Sequence, residues 1–99
     1  LATIHGHEYR GGGGVSPARW LMLRAYTSAM CGHFHRASFH GTKGLNPKPI
    51  GIWSHGCACY LHPAYAPLNE WTHGFASVEL SADGTFHVEN KMVIDGRLT

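Results

Sequence analysis

The chain has 99 residues, a formal net charge of +2, 43% hydrophobic residues and only 14% charged residues. Its length allows one domain at most, and its ordinary apolar fraction excludes a disordered protein. Without a membrane-length apolar run, an apolar secretory signal or a cluster of basic residues, we expect a cytoplasmic protein with no membrane partner and little basis for nucleic-acid binding by charge alone.

The first third of the sequence predicts a strand–helix–strand unit. Residues 2–4 resemble a strand, and the glycine run at 11–14 predicts a loop. Ser16 followed by a proline is typical of a helix start, and apolar residues at helical spacing predict a helix over 17–26. A short apolar strand is expected over 27–31. Such a unit makes its two strands parallel, so their carboxyl ends lie at one edge of a sheet.

The rest of the chain has the character of β structure. A turn-rich stretch at 42–49 separates two strand-like segments, and the turn residues at 81–84 separate the two arms of a predicted hairpin. We expect strands over residues 36–41, 50–55, 57–61, 75–80, 85–89 and 92–94. The fold class predicted is α/β, with one clear helix and a mainly β C-terminal region.

Histidines follow both strands of the predicted parallel pair. His5 and His7 come after the first strand, while His33 and His35 come after the second, preceded by Gly32. Neutral imidazole is the commonest side-chain metal ligand, and strand ends are where α/β folds carry their chemistry. The pattern therefore indicates a metal site to which both strand ends contribute.

The segment Gly32-His33-Phe34-His35 resembles the G-H-x-H motif of the calcineurin-like metallophosphoesterases, and His5-Gly6-His7 resembles the single-histidine motif that precedes it in that family. Residues 56–60 and the pattern Trp71-x-x-Gly74-Phe75 are similar to the C-terminal sheet of bacterial and phage-type members. The resemblance covers nearly the whole chain. It implies that residues 1–99 are the C-terminal half of a four-layer αββα sandwich.

The same resemblance implies a dinuclear metal centre that hydrolyses phosphate esters. His5 and His33 are implied ligands of one divalent ion and His35 of the other, with an aspartate and a water bridging the two. Imidazole and carboxylate ligands suit Mn, Zn, Fe or Ni. The substrate is a phosphate mono- or diester, with nucleotides or nucleic acids slightly favoured. His7 and Arg36 are candidates for contacting it.

The sequence departs from the family pattern in its carboxylates. The D-x-H, G-D-x-x-D and G-N-H motifs of the family do not occur, and Asp83 and Asp95, the two aspartates of the chain, fall in predicted turns. The chain also starts with Leu1 and not with Met, directly before the strand predicted over residues 2–4. We therefore expect that the N-terminal half of the catalytic domain is absent and that these 99 residues alone hydrolyse nothing.

Other interpretations remain open. His55, Cys57, Cys59 and His62 resemble a structural zinc site, but C-x-C without a second spaced pair fits such sites poorly, which favours strand-interior thiols in a reduced protein. A non-catalytic metal-binding β domain of the cupin type would need a glutamate shortly after His35, and residues 37–41 contain none. A degenerate phosphoesterase remnant is the third alternative.

Overall fold

Within the part of the chain that the structure describes, one helix and two β-sheets form an α/β fold. The computed structural model describes residues 1–6, 15–43, 45, 49–59, 61–65, 69 and 71–99. The elements in chain order are β1 (Ala2–Ile4), α1 (Pro17–Ala25), β2 (Ala29–Cys31), β3 (Ser38–Thr42), β4 (Ile50–Ser54), β5 (Gly74–Leu80), β6 (Phe86–Ile94) and β7 (Arg97–Leu98). Among the described residues, no helix is long and apolar enough to cross a membrane.

The first sheet has the strand order β1-β2-β4-β3. The strands β1, β2 and β4 are mutually parallel, and β3 runs antiparallel to β4. The register pairs Ile4 with Cys31 and Cys31 with Ser54, which are the last residues of their strands. The predicted parallel pairing of the first two strands is confirmed. The carboxyl ends of three strands thus meet at one edge of the sheet.

The helix α1 begins and ends where its flanking residues change the backbone direction. The Ser16 hydroxyl accepts a hydrogen bond from the Arg19 N–H, and Pro17 occupies the first turn, where it removes no helical hydrogen bond. Tyr26 adopts the left-handed region, with φ of 54°. The helix is therefore one residue shorter than predicted, because Tyr26 closes it as a cap.

The two faces of the first sheet pack against different layers. Ile52 is fully buried beside the α1 residues Ala18 and Leu21. The next residue, Trp53, points to the opposite face, because side chains alternate along a strand. Its ring lies 5.4 Å from that of Phe39 and 6.3 Å from that of Phe86 in β6. The layers therefore follow the order helix, first sheet, second sheet.

Asn90 in β6 joins the second sheet to the first. Its side-chain amide donates hydrogen bonds to the backbone carbonyls of Ser38 (3.2 Å) and Ser54 (2.8 Å). The amide oxygen is buried and has no hydrogen-bond partner among the described residues. Buried amide donors are costly when unpaired, so these two bonds specify how β6 sits over β3 and β4.

The second sheet is the predicted hairpin with a short extension. β5 and β6 pair from Gly74 opposite Met92 to Leu80 opposite Phe86, which confirms the hairpin. Residues 92–94 are not a separate strand as predicted, because β6 continues through them in register with β5 and β7. Asp95 and Gly96, with φ of 51° and 75°, then turn the chain into β7.

The prediction of a strand over residues 57–61 is wrong for the residues of this range that the structure describes. Cys57 forms a single parallel bridge to His73, and Ala58 and Cys59 bend away. The Cys57 N–H donates to the Thr72 carbonyl (2.8 Å), and the Gly74 N–H donates to the Cys57 carbonyl (3.1 Å). Since these partners come from a distant segment, the local apolar alternation does not extend into a strand.

Candidate metal centre

Three histidines follow the three parallel strands at the carboxyl edge of the first sheet. His5 follows β1, His33 comes shortly after β2, and His55 follows β4. Backbone hydrogen bonds continue the sheet beyond the strands: the Gly32 N–H donates to the His5 carbonyl and the His55 N–H donates to the Cys31 carbonyl, both over 3.1 Å. We call His5, His33 and His55 the histidine edge.

Within the histidine edge, two imidazoles lie close together. The ring centroids of His5 and His33 are 4.7 Å apart, with an angle of 58° between the ring planes. Both residues are exposed, so an ion from solvent can reach them. The parallel pairing of β1 and β2 is the cause of this proximity, as the sequence predicts. Two neutral imidazoles at this separation suit a shared divalent ion.

The turn after β2 holds both of its histidines in the left-handed region. His33 has φ of 61° and His35 has φ of 58°, while Phe34 between them donates its N–H to the Gly32 carbonyl over 2.6 Å. Left-handed backbone in a non-glycine residue costs about 1 kcal/mol or more and is typical of functional sites. Phe34 packs against the core, which stabilises the turn.

Gly6 allows the chain after β1 to lie against this turn. A Cβ atom built on Gly6 would lie 3.2 Å from the Gly32 carbonyl oxygen, the His33 Cβ and a ring carbon of Phe34. The φ of Gly6 is 115°, which side-chain-bearing residues rarely adopt. A glycine after His5 is therefore required for the two turns of the histidine edge to meet.

His55 is a residue that the sequence analysis did not assign to the site. Its ring lies over Gly32, and a Cβ atom there would come within 3.0 Å of the His55 Cε1. Nδ1 of His55 donates to the Gly56 carbonyl (3.3 Å), since a carbonyl can only accept. In the neutral ring with Nδ1 as this donor, Nε2 is the unprotonated nitrogen. The sequence signal for His55 was its position directly after a predicted strand. Its place in the histidine edge could not be read from that position alone, because it depends on the pairing of β4 with β2.

The other histidine of the motif, His35, lies with two cysteines. Each of these residues, His35, Cys57 and Cys59, offers one ligand atom, and the three atoms lie within 4.8 Å of one another. The His35 Nδ1 lies 4.0 Å from the Cys59 Sγ. We call these three residues the thiol cluster. The ring of Trp71 packs edge-on against His35 at 4.3 Å. Cys59 is exposed, so the expectation of strand-interior thiols is wrong for this residue.

Thr72 holds the two parts of the thiol cluster together. Its N–H donates to the His35 carbonyl (2.7 Å), and its own carbonyl accepts the Cys57 N–H (2.8 Å). Its hydroxyl accepts the Ala37 N–H (2.8 Å). His73 adds a further restraint, because its Nε2 donates to the Cys59 carbonyl (2.8 Å). The cluster thus rests on backbone contacts rather than on its own side chains.

The thiols of the cluster interact with each other. A hydrogen bond with the Cys57 side chain raises the pKa of the Cys59 thiol, and desolvation and the charge of Cys57 act in the same direction. The Cys59 thiol is therefore protonated at neutral pH. Cys31, Cys57 and Cys59 are all thiols that are not joined in disulfides.

The remaining sequence candidates contribute less. His7 lies outside the described residues. Arg36 is half-buried, and its carbonyl accepts the Ser54 hydroxyl over 2.8 Å, which ties the end of the histidine turn to β4. Asp83 and Asp95 lie in the turns where they were predicted, and the Asp83 carboxylate accepts the N–H and hydroxyl of Thr85.

No carboxylate completes the site within the part of the chain that the structure describes. Among those residues, the thiol cluster is the one group of three or more close metal-ligating side chains, and it contains no aspartate or glutamate. The histidine edge therefore offers imidazoles alone.

Comparisons of the chain with protein-family models, curated proteins and solved structures give no significant match.

Proposed function

We propose that this chain supplies the imidazole half of a dinuclear phosphoesterase centre of the calcineurin-like type. The observation that carries the proposal is the 4.7 Å separation of the His5 and His33 rings at the carboxyl edge of a parallel sheet. In the proposal, these two histidines hold one divalent ion and His35 holds the second. The left-handed backbone of His33 and His35 supports a functional role for their turn.

The layer order of the fold supports the same proposal. A helix, a mostly parallel sheet and an antiparallel hairpin sheet follow one another, in the order of three of the four layers of an αββα sandwich. We propose that residues 1–99 form this C-terminal half. The bridging and terminal carboxylates of the centre then come from outside these 99 residues, because Asp83 and Asp95 lie in turns of the second sheet.

The chemistry proposed is hydrolysis of a phosphate mono- or diester. A pair of Mn, Zn, Fe or Ni ions about 3.5–4 Å apart, when bound, lowers the pKa of a shared water and stabilises charge on the phosphoryl oxygens. The protein contributes neutral imidazoles at fixed positions, and Arg36 and His7 are the candidates for contacting the phosphate. Nucleotides or nucleic acids are the proposed substrate class, and three cysteines that form no disulfide favour a reducing, cytoplasmic setting.

The test uses the full-length protein encoded by the gene. It is reconstituted with Mn²⁺ and assayed on bis(p-nitrophenyl) phosphate. We expect His33→Ala to reduce kcat/KM by about 100-fold or more, because even residues that only orient metal ligands contribute about 10–100-fold. His87→Ala is the matched control: His87 is also an exposed histidine, and its contact is to Glu89 on the hairpin. Equal activities of the two variants would exclude the histidine edge from the centre.

A second arm of the experiment tests the origin of the carboxylates. Residues 1–99 alone are assayed in parallel with the protein that the gene encodes, under the same Mn²⁺ concentration. We expect no turnover from residues 1–99. Turnover by this segment alone would show that the metal centre does not need carboxylates from another part of the protein. Mn²⁺ binding without turnover by the encoded protein would favour the non-catalytic alternatives, a metal-binding domain or a degenerate remnant.

A further inference from the structure

We propose that His35, Cys57 and Cys59 form a mononuclear site for a thiophilic divalent cation of the Zn²⁺ class, distinct from the ion held by His5 and His33 and in competition with the dinuclear centre for His35. The inference does not rest on the proposed function, in which neither thiol has a role. It rests on the convergence of one imidazole and two thiols that lie far apart in the chain from His35.

The spacing of the three ligand atoms is close to what a tetrahedral ion requires. With Zn–S bonds of about 2.3 Å and Zn–N bonds of about 2.0–2.1 Å, neighbouring ligand atoms lie about 3.6–3.8 Å apart. The His35 Nδ1 and the Cys59 Sγ are 4.0 Å apart, and no pair in the cluster exceeds 4.8 Å. Movements of the ligand atoms by a few tenths of an ångström to about 1 Å therefore suffice to bring them to the spacing of a tetrahedral ion.

The backbone around the cluster is already fixed by contacts that do not involve the ligand atoms. Thr72 ties the His35 turn to Cys57, and His73 holds the carbonyl of Cys59. The bend at Ala58 and Cys59 follows directly from the bridge between Cys57 and His73. Little ordering is then required when an ion binds, which favours affinity.

The ligand chemistry separates this site from the histidine edge. When an ion binds, it displaces the thiol protons, and two thiolates with one neutral imidazole then balance the charge of a divalent ion. Soft sulfur ligands favour Zn²⁺ and its heavier analogue Cd²⁺ over Mn²⁺ or Mg²⁺. Cys57 is buried and Cys59 is exposed. The ion would therefore sit at the surface, with a fourth position open to water.

The experiment is a titration of the metal-stripped, phosphine-reduced protein, as its gene encodes it, with Cd²⁺. The readout is the ultraviolet charge-transfer band of cadmium bound to thiolate. We expect one equivalent of Cd²⁺ to saturate the band and excess Mn²⁺ to leave it in place. Cys59→Ser should weaken Cd²⁺ binding by about 100-fold and reduce the band, since ligand loss exceeds the roughly 10–100-fold effect of ligand-orienting residues.

Cys31→Ala is the matched control, because Cys31 is a core thiol that does not belong to the cluster. It should leave the band and the affinity unchanged. His35→Asn should keep the sulfur band but weaken binding. Cys59 is exposed, so its serine variant is expected to fold, and circular dichroism checks this before titration.

Absence of the band in the reduced wild-type protein would overturn the proposal, and so would a band that survives Cys59→Ser. A band abolished by Cys31→Ala alone would overturn it as well. Because the readout is absorbance and not turnover, a failed phosphoesterase assay leaves this result unaffected. Conversely, Cys59→Ser removes the cadmium site but leaves His5, His33 and His35 in place, so the Mn²⁺-dependent activity proposed for these histidines should persist.

Discussion

The imidazole of His55 lies directly over Gly32, so close that a Cβ atom at Gly32 would meet the His55 Cε1 at 3.0 Å. The glycine that precedes the two histidines of the turn therefore has a packing role: it makes room for the ring that follows β4. This contact joins the segments that follow β2 and β4.

Gly32→Ala should destabilise the protein by about 1–3 kcal/mol, because the added methyl group forces the His55 ring or the turn to move. Urea unfolding measures the change. The control is the same substitution in a His55→Ala background, where the ring is absent and the cost should largely disappear. An equal cost in both backgrounds would contradict the packing role assigned to Gly32.

Asn90→Ala should lower the free energy of unfolding by about 1–3 kcal/mol, because the carbonyls of Ser38 and Ser54 lose their shared donor. Asn90→Asp has nearly the same shape but replaces the amide donor with a second acceptor, so it should destabilise at least as much. Denaturant unfolding of both variants checks this. An aspartate variant as stable as the wild type would show that the amide donors do not hold the two sheets together.

Gly56→Ala should separate the Cys57 loop from residues 72–74. A Cβ atom on Gly56 would overlap the Thr72 carbonyl oxygen and come within 2.8 Å of the Gly74 nitrogen. Backbone atoms cannot move aside as side chains can, so we expect the substitution to lower the free energy of unfolding by about 3 kcal/mol. Ala58→Ser, a change at an exposed position of the same loop, is the control. Thermal unfolding that gives equal stabilities for the two variants would contradict the close approach.

The ion pair on the hairpin predicts a pH dependence of stability. A hydrogen bond from Lys91 first, and one from His87 second, lower the pKa of Glu89 below its ordinary value of 4.5. Because the folded-state pKa is the lower one, the stabilisation is present above pH 4.5 and is lost as the pH falls through the folded-state value. The effect is small, because Glu89 is exposed and solvent screens the pair.

Glu89→Gln should therefore lower the Tm slightly at pH 6 and by less at a pH below 4.5, because the wild-type carboxylate becomes protonated as the pH falls through its lowered pKa. Calorimetry at the two pH values, in low salt, measures it. Glu79→Gln serves as the comparison, since Glu79 is an exposed glutamate on the neighbouring strand. A Tm difference that persists unchanged at low pH would contradict an electrostatic origin.

Local sequence signals predict the elements whose cause is local. Ser16 and Pro17 define the start of α1, and the turn at Ser81–Gly84 defines the hairpin, because capping and turn residues act on their immediate neighbours. The proximity of His5 and His33 was also predictable, since a strand–helix–strand unit makes its strands parallel. For the same reason, the histidines could be placed at one edge before the pairing was known.

Contacts made over long distances in the chain were not predictable in this way. The role of His55 depends on β4 lying beside β2, which no residue near His55 encodes. The bend after Cys57 depends on Thr72 and His73, and it brings two thiols to His35 where an extended strand was expected. The length of β6 similarly depends on its partners and not on its own turn residues.

The most direct test of the proposed function is anomalous diffraction at the manganese edge, from crystals of the protein as its gene encodes it, soaked in Mn²⁺. We expect one peak about 2.2 Å from a ring nitrogen of both His5 and His33, and a second peak at His35 about 3.5–4 Å from the first. Manganese bound elsewhere, with His5 and His33 free of metal, would contradict the dinuclear phosphoesterase proposal.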